Sequence, residues 1–334
     1  MKITSAHGAG GKATSELIVG IFLKHFGNPA LSLLEDAAEL PVPRGRIAFT
    51  TDSYVVSPLF FPGGDIGHIA VCGTVNDLAV KGAEPKWLSC AFIIEEGFDA
   101  DVLERIARSM GKAAAAAGVQ IVTGDTKVVE KGKGDGLFIN TSGVGVIADG
   151  VNLSVSGIKP GDCVIVSGSL AEHGLAVMNE RHSLGLKSGI KSDGAPLNGM
   201  IAEVLAACPH GVHAMRDLTR GGLASALADM CASCGFSFEI EEKLIPVSVA
   251  VRSACGILGI DPLSAANEGK ICLFCAPDCA EKVLSVLKKN AYGKDAAAVG
   301  FVGDKAGGPV YLKTAIGSKR VLRAPDGEVL PRIC

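Results

Sequence analysis

Five aspartates stand in segments otherwise made of small or apolar residues: Asp36 in EDAAEL, Asp52 in TTDS, Asp77 in TVNDLAVKGA, Asp125 in TGDTKVV and Asp217 in MRDLTRGG. A carboxylate in such company needs a partner, and Mg2+ is a natural one. Several carboxylates around Mg2+ and phosphates are the usual apparatus of ATP chemistry. Any single one of these aspartates could equally cap a helix or start a turn; five together weaken that reading. RDLTRGG adds two arginines and a diglycine, a setting for an anion at a helix N-terminus or simply a glycine-rich helix start. Lys127, and Glu268 in AANEGK, also lie among small residues. Such groups serve in proton transfer or are salt-bridged.

Two further features are ambiguous. HGAGGK at 7–12 is a glycine-rich loop ahead of a helix, a possible phosphate cradle. It fails the Walker pattern, with Ala6 at the first glycine and Ala13 after Lys12, and no full strand precedes it as a dinucleotide fold requires. On this motif alone a flexible leader is favoured. Cys334, the final residue, follows Arg332 in a segment of turn formers, RAPDGEVLPRIC, that reads as a mobile tail. Arg332 favours the thiolate and the terminal carboxylate opposes it. From the residues themselves, a working thiol and a functionless end are evenly balanced.

The elements that must position these residues are legible in outline. A helix is expected over 14–26, ended by Gly27 and Pro29, and a strand over 46–56 carries Asp52. Asp65 caps a helix to about Lys81. A strand at 86–95, an amphipathic helix through Leu103, Ile106, Ala107, Met110, Ala114 and Ala117 closed by Gly118, and strands at 119–129 and 137–147 complete a first unit. The Gly/Ser-rich stretch 148–161 is the best boundary. Beyond it, helices are expected near 171–182, 196–207, 221–234, 249–258 and 278–289, with strands near 162–167, 212–218, 236–240, 270–276, 296–302 and 309–313. The division is 1–150, 151–318 and a tail, 319–334.

With 334 residues, 48% hydrophobic and 20% charged, the chain reads as globular α/β. A net charge of −3 without a basic stretch argues against nucleic acid. Eleven scattered cysteines and no apolar leader point to a reducing cytoplasm. No apolar run reaches the roughly 18 residues of a membrane span. Cys231/Cys234 and Cys272/Cys275 are CxxC pairs, but the second falls on a strand, where residues three apart face opposite ways. Buried structural cysteines are the expectation for both.

Asp36, TTDS at 50–53, NDLAVKGA at 76–83, GDT at 124–126 and DLTRGG at 217–222 together resemble the ATP-binding superfamily of aminoimidazole ribonucleotide synthetase, selenophosphate synthetase and thiamine-monophosphate kinase. From HGAGGK to the terminal PRIC the chain resembles, within it, the HypE family of hydrogenase maturation proteins. The resemblance implies two mixed α/β domains, a homodimer through the first, and ATP in a cleft. It assigns Asp36, Asp52, Asp77, Asp125 and Asp217 to Mg2+, and Gly10, Gly11, Lys12, Asp52, Asn76, Asp77, Gly124, Asp125, Thr126, Thr219, Arg220 and Gly221 to the nucleotide. Cys334 would be carbamoylated by HypF, and its carbamoyl group dehydrated to a thiocyanate with Lys127 and Glu268 as bases. A HypC–HypD complex would then take the cyano group for the iron of [NiFe] hydrogenase. A tail-independent small-molecule kinase on the same fold and a metal-binding scaffold are the rival readings.

Overall fold

The computed structural model describes residues 1–9, 11–35, 37–41, 44–186 and 189–325. Gly10, Asp36 and Cys334 therefore lie outside the described residues.

The chain opens with a 3-10 turn (Ser5–Gly8) and α1 (Lys12–Leu17), which passes through a π-helical stretch (Ile18–Leu23) into α2 (Lys24–Phe26). The single helix expected over 14–26 thus contains a wider turn. Its apolar stripe nonetheless reaches the core, where Phe22 stacks on Phe92 with ring centroids 4.7 Å apart. There follow β1 (Arg46–Tyr54), a small hairpin of β2 (Phe60–Phe61) and β3 (Gly64–Asp65), α3 (Ile66–Val80), β4 (Ala83–Glu95), α4 (Ala100–Ala117), β5 (Gln120–Val129) and β6 (Leu137–Ile147). The main sheet of this half runs β1-β6-β4-β5, antiparallel except for β4 and β5, which α4 joins as a parallel pair.

Capping fixes both major helices. The Asp65 carboxylate accepts from the His68 N–H at 3.0 Å, and Gly118 ends α4 at φ 71°. Helix α4 is amphipathic and packs its apolar face mainly against α3 and the N-terminal helices. By contrast α3 is apolar on nearly every side, because it lies between this sheet, α4, and β8 and α6 of the second half.

The second half contains β7 (Cys163–Val166), α5 (Glu172–Arg181), α6 (Asn198–Ala207), β8 (Val212–Asp217), α7 (Gly222–Cys234), β9 (Phe236–Glu241), α8 (Val249–Leu258), β10 (Ile271–Cys275), α9 (Ala280–Lys289), β11 (Ala297–Ala306), β12 (Val310–Lys313) and β13 (Lys319–Leu322). Its sheet runs β13-β12-β9-β11-β7-β10-β8. Val164, Val166, Cys272 and Phe274 pack toward α7, while Ile165, Leu273 and Cys275 pack toward α6 and α9. Cys272 and Cys275 are thus buried on opposite faces, as strand alternation requires. Residues 319–322, expected to begin the tail, instead form β13, paired antiparallel with β12 and seated by the buried Leu322. The KRVL segment has one inward apolar anchor, too weak a period to read as a strand.

The two sheets differ in one respect that matters below. The second is covered on both faces. Among the described residues the first has helices on one face only, and on the other Ile47 (59% exposed), Phe49 (69%) and Ile93 (43%) stand open.

Candidate functional site

A cleft of about 470 Å³ lies where the two halves meet. β1 supplies Asp52, the last turn of α3 supplies Asp77, the end of β8 supplies Asp217, and the loop before β10 supplies Glu268. Thr219 and Arg220 line the same space. Asp52 accepts from Tyr54 Oη (3.3 Å) and from Arg220 Nη2 (3.2 Å). Thr50 Oγ1 donates to Asp77 at 2.8 Å, and Thr219 Oγ1 donates to Asp217 at 3.2 Å.

The electrostatics follow from crowding like charges in a half-buried space. Burial, then Asp217 and Asp52, push the Asp77 carboxyl up to about 7 against the opposing pull of Thr50 and Arg220. Burial likewise raises Asp217. Glu268 is raised most strongly, by burial first and then by Asp193, Asp217, Asp52 and Asp77. The residue is 2% exposed, and neither carboxylate oxygen has a hydrogen-bond partner among the described residues. An unsatisfied buried carboxyl is costly and calls for a functional reason. Tyr54 is raised by burial and then by Asp52 and Glu268, which keeps its hydroxyl a donor.

The turn after β8 depends on glycine. Gly221 and Gly222 take φ 65° and 60°, and a Cβ on Gly222 would lie 2.5 Å from the Ala265 carbonyl oxygen. The diglycine lets α7 begin directly behind Arg220.

The structure divides the remaining expected residues. Gly124, Asp125, Thr126 and Lys127 lie on β5, the edge strand, and border a separate cavity of about 370 Å³ between that edge and the α1–α2 segment. There Lys127 Nζ donates to Asp125 at 2.8 Å, and that bond, with the Thr126 N–H, holds the Asp125 carboxyl below its ordinary value. Gly11 is the N-cap of α1, and the exposed Lys12 pairs with Glu16. Within one chain these groups do not line the cleft that holds Glu268.

Asn76 departs from the expected nucleotide contact. It is 2% exposed, and its amide is spent on main chain: Nδ2 donates to the carbonyls of Ala195 (2.9 Å) and Glu268 (3.3 Å), and Oδ1 accepts from the Leu197 N–H (2.7 Å). It ties α3 to two segments of the second half. Sequence reading missed Tyr54, adjacent to TTDS, and Asp193, which accepts from the main-chain N–H groups of Glu268 and Gly269.

Oxygen donors of this kind suit Mg2+. Among the described residues no three Cys, His, Asp or Glu side chains form a cage for a metal. A triphosphate facing Asp52, Asp77, Asp217 and Glu268 would be repelled without such a cation.

Two α/β halves meeting across an acidic cleft define a protein of the AIR synthase class: residues 34–147 match AIR synthase related protein, N-terminal domain, and 159–313 its C-terminal domain. The carbamoyl dehydratase HypE of Rhizobium leguminosarum bv. viciae is 48% identical over 333 residues, covering 100% of this chain and 95% of the relative. A solved hydrogenase maturation protein HypE in complex with ATP superposes with a TM-score of 0.95 at 45% identity, covering 99% of both chains. The HypE chain of a HypE–HypF complex superposes at 0.81 with 48% identity, over 92% of this chain and 99% of that one. The chain belongs to the HypE family of carbamoyl dehydratases.

Proposed function

We propose that this protein is an ATP-dependent carbamoyl dehydratase that converts an S-carbamoyl group on Cys334 into a thiocyanate, the source of the cyanide ligand on the iron of [NiFe] hydrogenase. Full-length similarity to carbamoyl dehydratases supports it. The observation that carries it within the molecule is the Glu268 carboxylate, buried, unpartnered, and facing an acidic cleft.

The chemistry needs an oxygen made into a leaving group and two protons taken from nitrogen. The carbamoyl oxygen attacks the γ-phosphorus of ATP, ADP departs, and one N–H proton is lost. The C–O bond then breaks, phosphate leaves with the oxygen, and loss of the second N–H proton completes the C≡N bond. Glu268 is the acceptor for a nitrogen proton; its raised affinity for protons and lack of a competing partner suit that task. Asp52, Asp77 and Asp217, with Asp36 and Asp125, would hold Mg2+, which when bound offsets the triphosphate charge. Arg220, Thr219 and Gly221 orient the phosphates, with HGAGGK (Gly10, Gly11, Lys12) covering them. A tail that fills the cleft excludes water, which would otherwise hydrolyse the activated group.

Lys127, the second base, reaches the reaction through a homodimer. Strand register places Phe49, Val144 and Trp87 in one row of the uncovered face, and Phe138, Ile93 and Lys127 in another; Asp125 shares that face. Pairing of two such faces buries the apolar rows and carries Asp125 and Lys127 toward the partner's cleft. HypF loads the carbamoyl group; the solved HypE–HypF complex of a 48% identical relative supports that partnership. A HypC–HypD complex receives the cyano group.

Mass spectrometry of the C-terminal peptide tests the proposal. Incubation with the carbamoyl donor machinery is expected to add roughly 43 Da, and ATP then to remove roughly 18 Da, as a covalent carrier requires. Cys334→Ala should retain ATP binding and lose both changes. Turnover surviving deletion of the last residues would instead indicate a small-molecule kinase.

A further inference from the structure

We infer that Asp193 is a positioning residue: with Asn76 and Lys270 it clamps the main chain on both sides of Glu268, so that the carboxylate is held over the cleft with no side-chain partner among the described residues. The inference rests on Glu268 being the proton acceptor proposed above.

The loop before β10 is anchored ahead of Glu268 by the buried Ala265 and Ala266 and by the Asn267 amide. At Glu268 itself the hold is on the main chain. Asp193 Oδ1 accepts from the Glu268 N–H (3.0 Å), and Oδ2 accepts from the Gly269 N–H (3.3 Å). Asn76 Nδ2 holds the Glu268 carbonyl, and Asn267 Oδ1 accepts from the Ala171 N–H at 2.7 Å. The Asp193 side chain is 1% exposed, and its charge is balanced by Lys270 Nζ at 3.2 Å. Position 269 must be glycine, because a Cβ there would lie 1.9 Å from the Asp193 carbonyl oxygen.

A bidentate clamp of this kind solves a specific problem. A free carboxylate on a loose loop would swing toward a cation such as Arg220 or toward water, and would lose its availability. With the N–H and the C=O of Glu268 both engaged, its side-chain torsions are the freedom that remains. Preorganisation is thereby transferred from residues that never touch substrate to one that does.

A double-mutant cycle tests this, read by single-turnover dehydration of the carbamoylated full-length chain and by calorimetric ATP binding. Asp193→Ala is expected to slow dehydration about 10- to 100-fold, the cost of a misplaced reacting group. ATP affinity should stay within about twofold, which assigns the loss to the chemical step. Asp193→Asn, which keeps the shape and one acceptor, should recover part of the rate. In a Glu268→Gln background, Asp193→Ala should cause no further loss, because Asp193 acts only through Glu268. An unchanged rate in Asp193→Ala, or an equal further loss in the double variant, would overturn the inference. If Asp193→Ala does not fold, Asp193→Asn takes its place in the cycle. A fully active Glu268→Gln would instead overturn the assignment of Glu268, and with it the need for a clamp.

Discussion

Replacing Phe49 by aspartate should split the dimer while leaving the protomer folded. Phe49 is 69% exposed on the face of the first sheet that no helix covers. A phenylalanine offers about 200 Å² to burial, which leaves about 140 Å² for a partner to cover. Twofold symmetry doubles that to about 280 Å², or about 7 kcal/mol at full coverage and ~25 cal/mol per Å². Half coverage still gives about 3.5 kcal/mol, a weakening of the dimer by roughly 400-fold. The introduced carboxylate adds a desolvation cost in the same direction. Sedimentation equilibrium across a micromolar concentration series reads the change directly. Circular dichroism should show an unaltered fold, since Phe49 contributes nothing to the core of its own chain. The reasoning is refuted if the wild-type chain sediments as a monomer, or if Phe49→Asp dimerises as tightly as wild type.

Three other outcomes are expected. Mixing inactive Lys127→Ala and Glu268→Gln homodimers should restore about a quarter of wild-type turnover, because half the reassorted dimers carry one intact composite site; no recovery would place both bases in one chain. Asp77 binds its proton more tightly when folded (about 7) than its ordinary 3.8, so the folded state holds the extra proton. Stability from this group is full below pH 3.8 and is lost as pH rises through about 7. Melting curves in metal-free buffer should show that decline in wild type and its loss in Asp77→Asn, and added Mg2+ at high pH should stabilise wild type more than the variant. Gly73→Ala places a Cβ 2.2 Å from Tyr54 Oη, so despite the gain in helix propensity it should cost about 1–3 kcal/mol and weaken ATP binding.

What sequence could reveal depended on whether the determining contacts were local. The cap at Asp65, the stripe of α4 and the stop at Gly118 are set within a few residues and were readable. The path of α3 was readable only from its cap, because a helix enclosed on all sides has no amphipathic period. Five carboxylates among small residues raised the expectation of an ion site, and three of them line one cleft. Asp125 carries the same local signal, yet lies on β5 away from that cleft, since strand order puts β5 at the sheet edge and strand alternation turns Asp125 to the uncovered face. Tyr54 lay beside a motif already marked. Asp193 did not: its partners are Glu268 and Gly269, some 75 residues away, and no short-range pattern encodes that pairing. Asn76 was read as a ligand contact because its neighbours are motif residues, while its bonds run to main chain of the other half.

Those bonds of Asn76 constrain how the cleft can be used. Buried at the joint between the halves and bonded to residues 195, 197 and 268, the amide acts as a bolt across what would otherwise be a hinge. Opening the halves would break three buried hydrogen bonds, which resists a change in the width of the cleft. On the function proposed above, nucleotide and modified thiol then enter through its mouth. A cleft that resists widening favours a slender cargo on an extended chain, and makes the pace of threading in and out a property of the inserted segment.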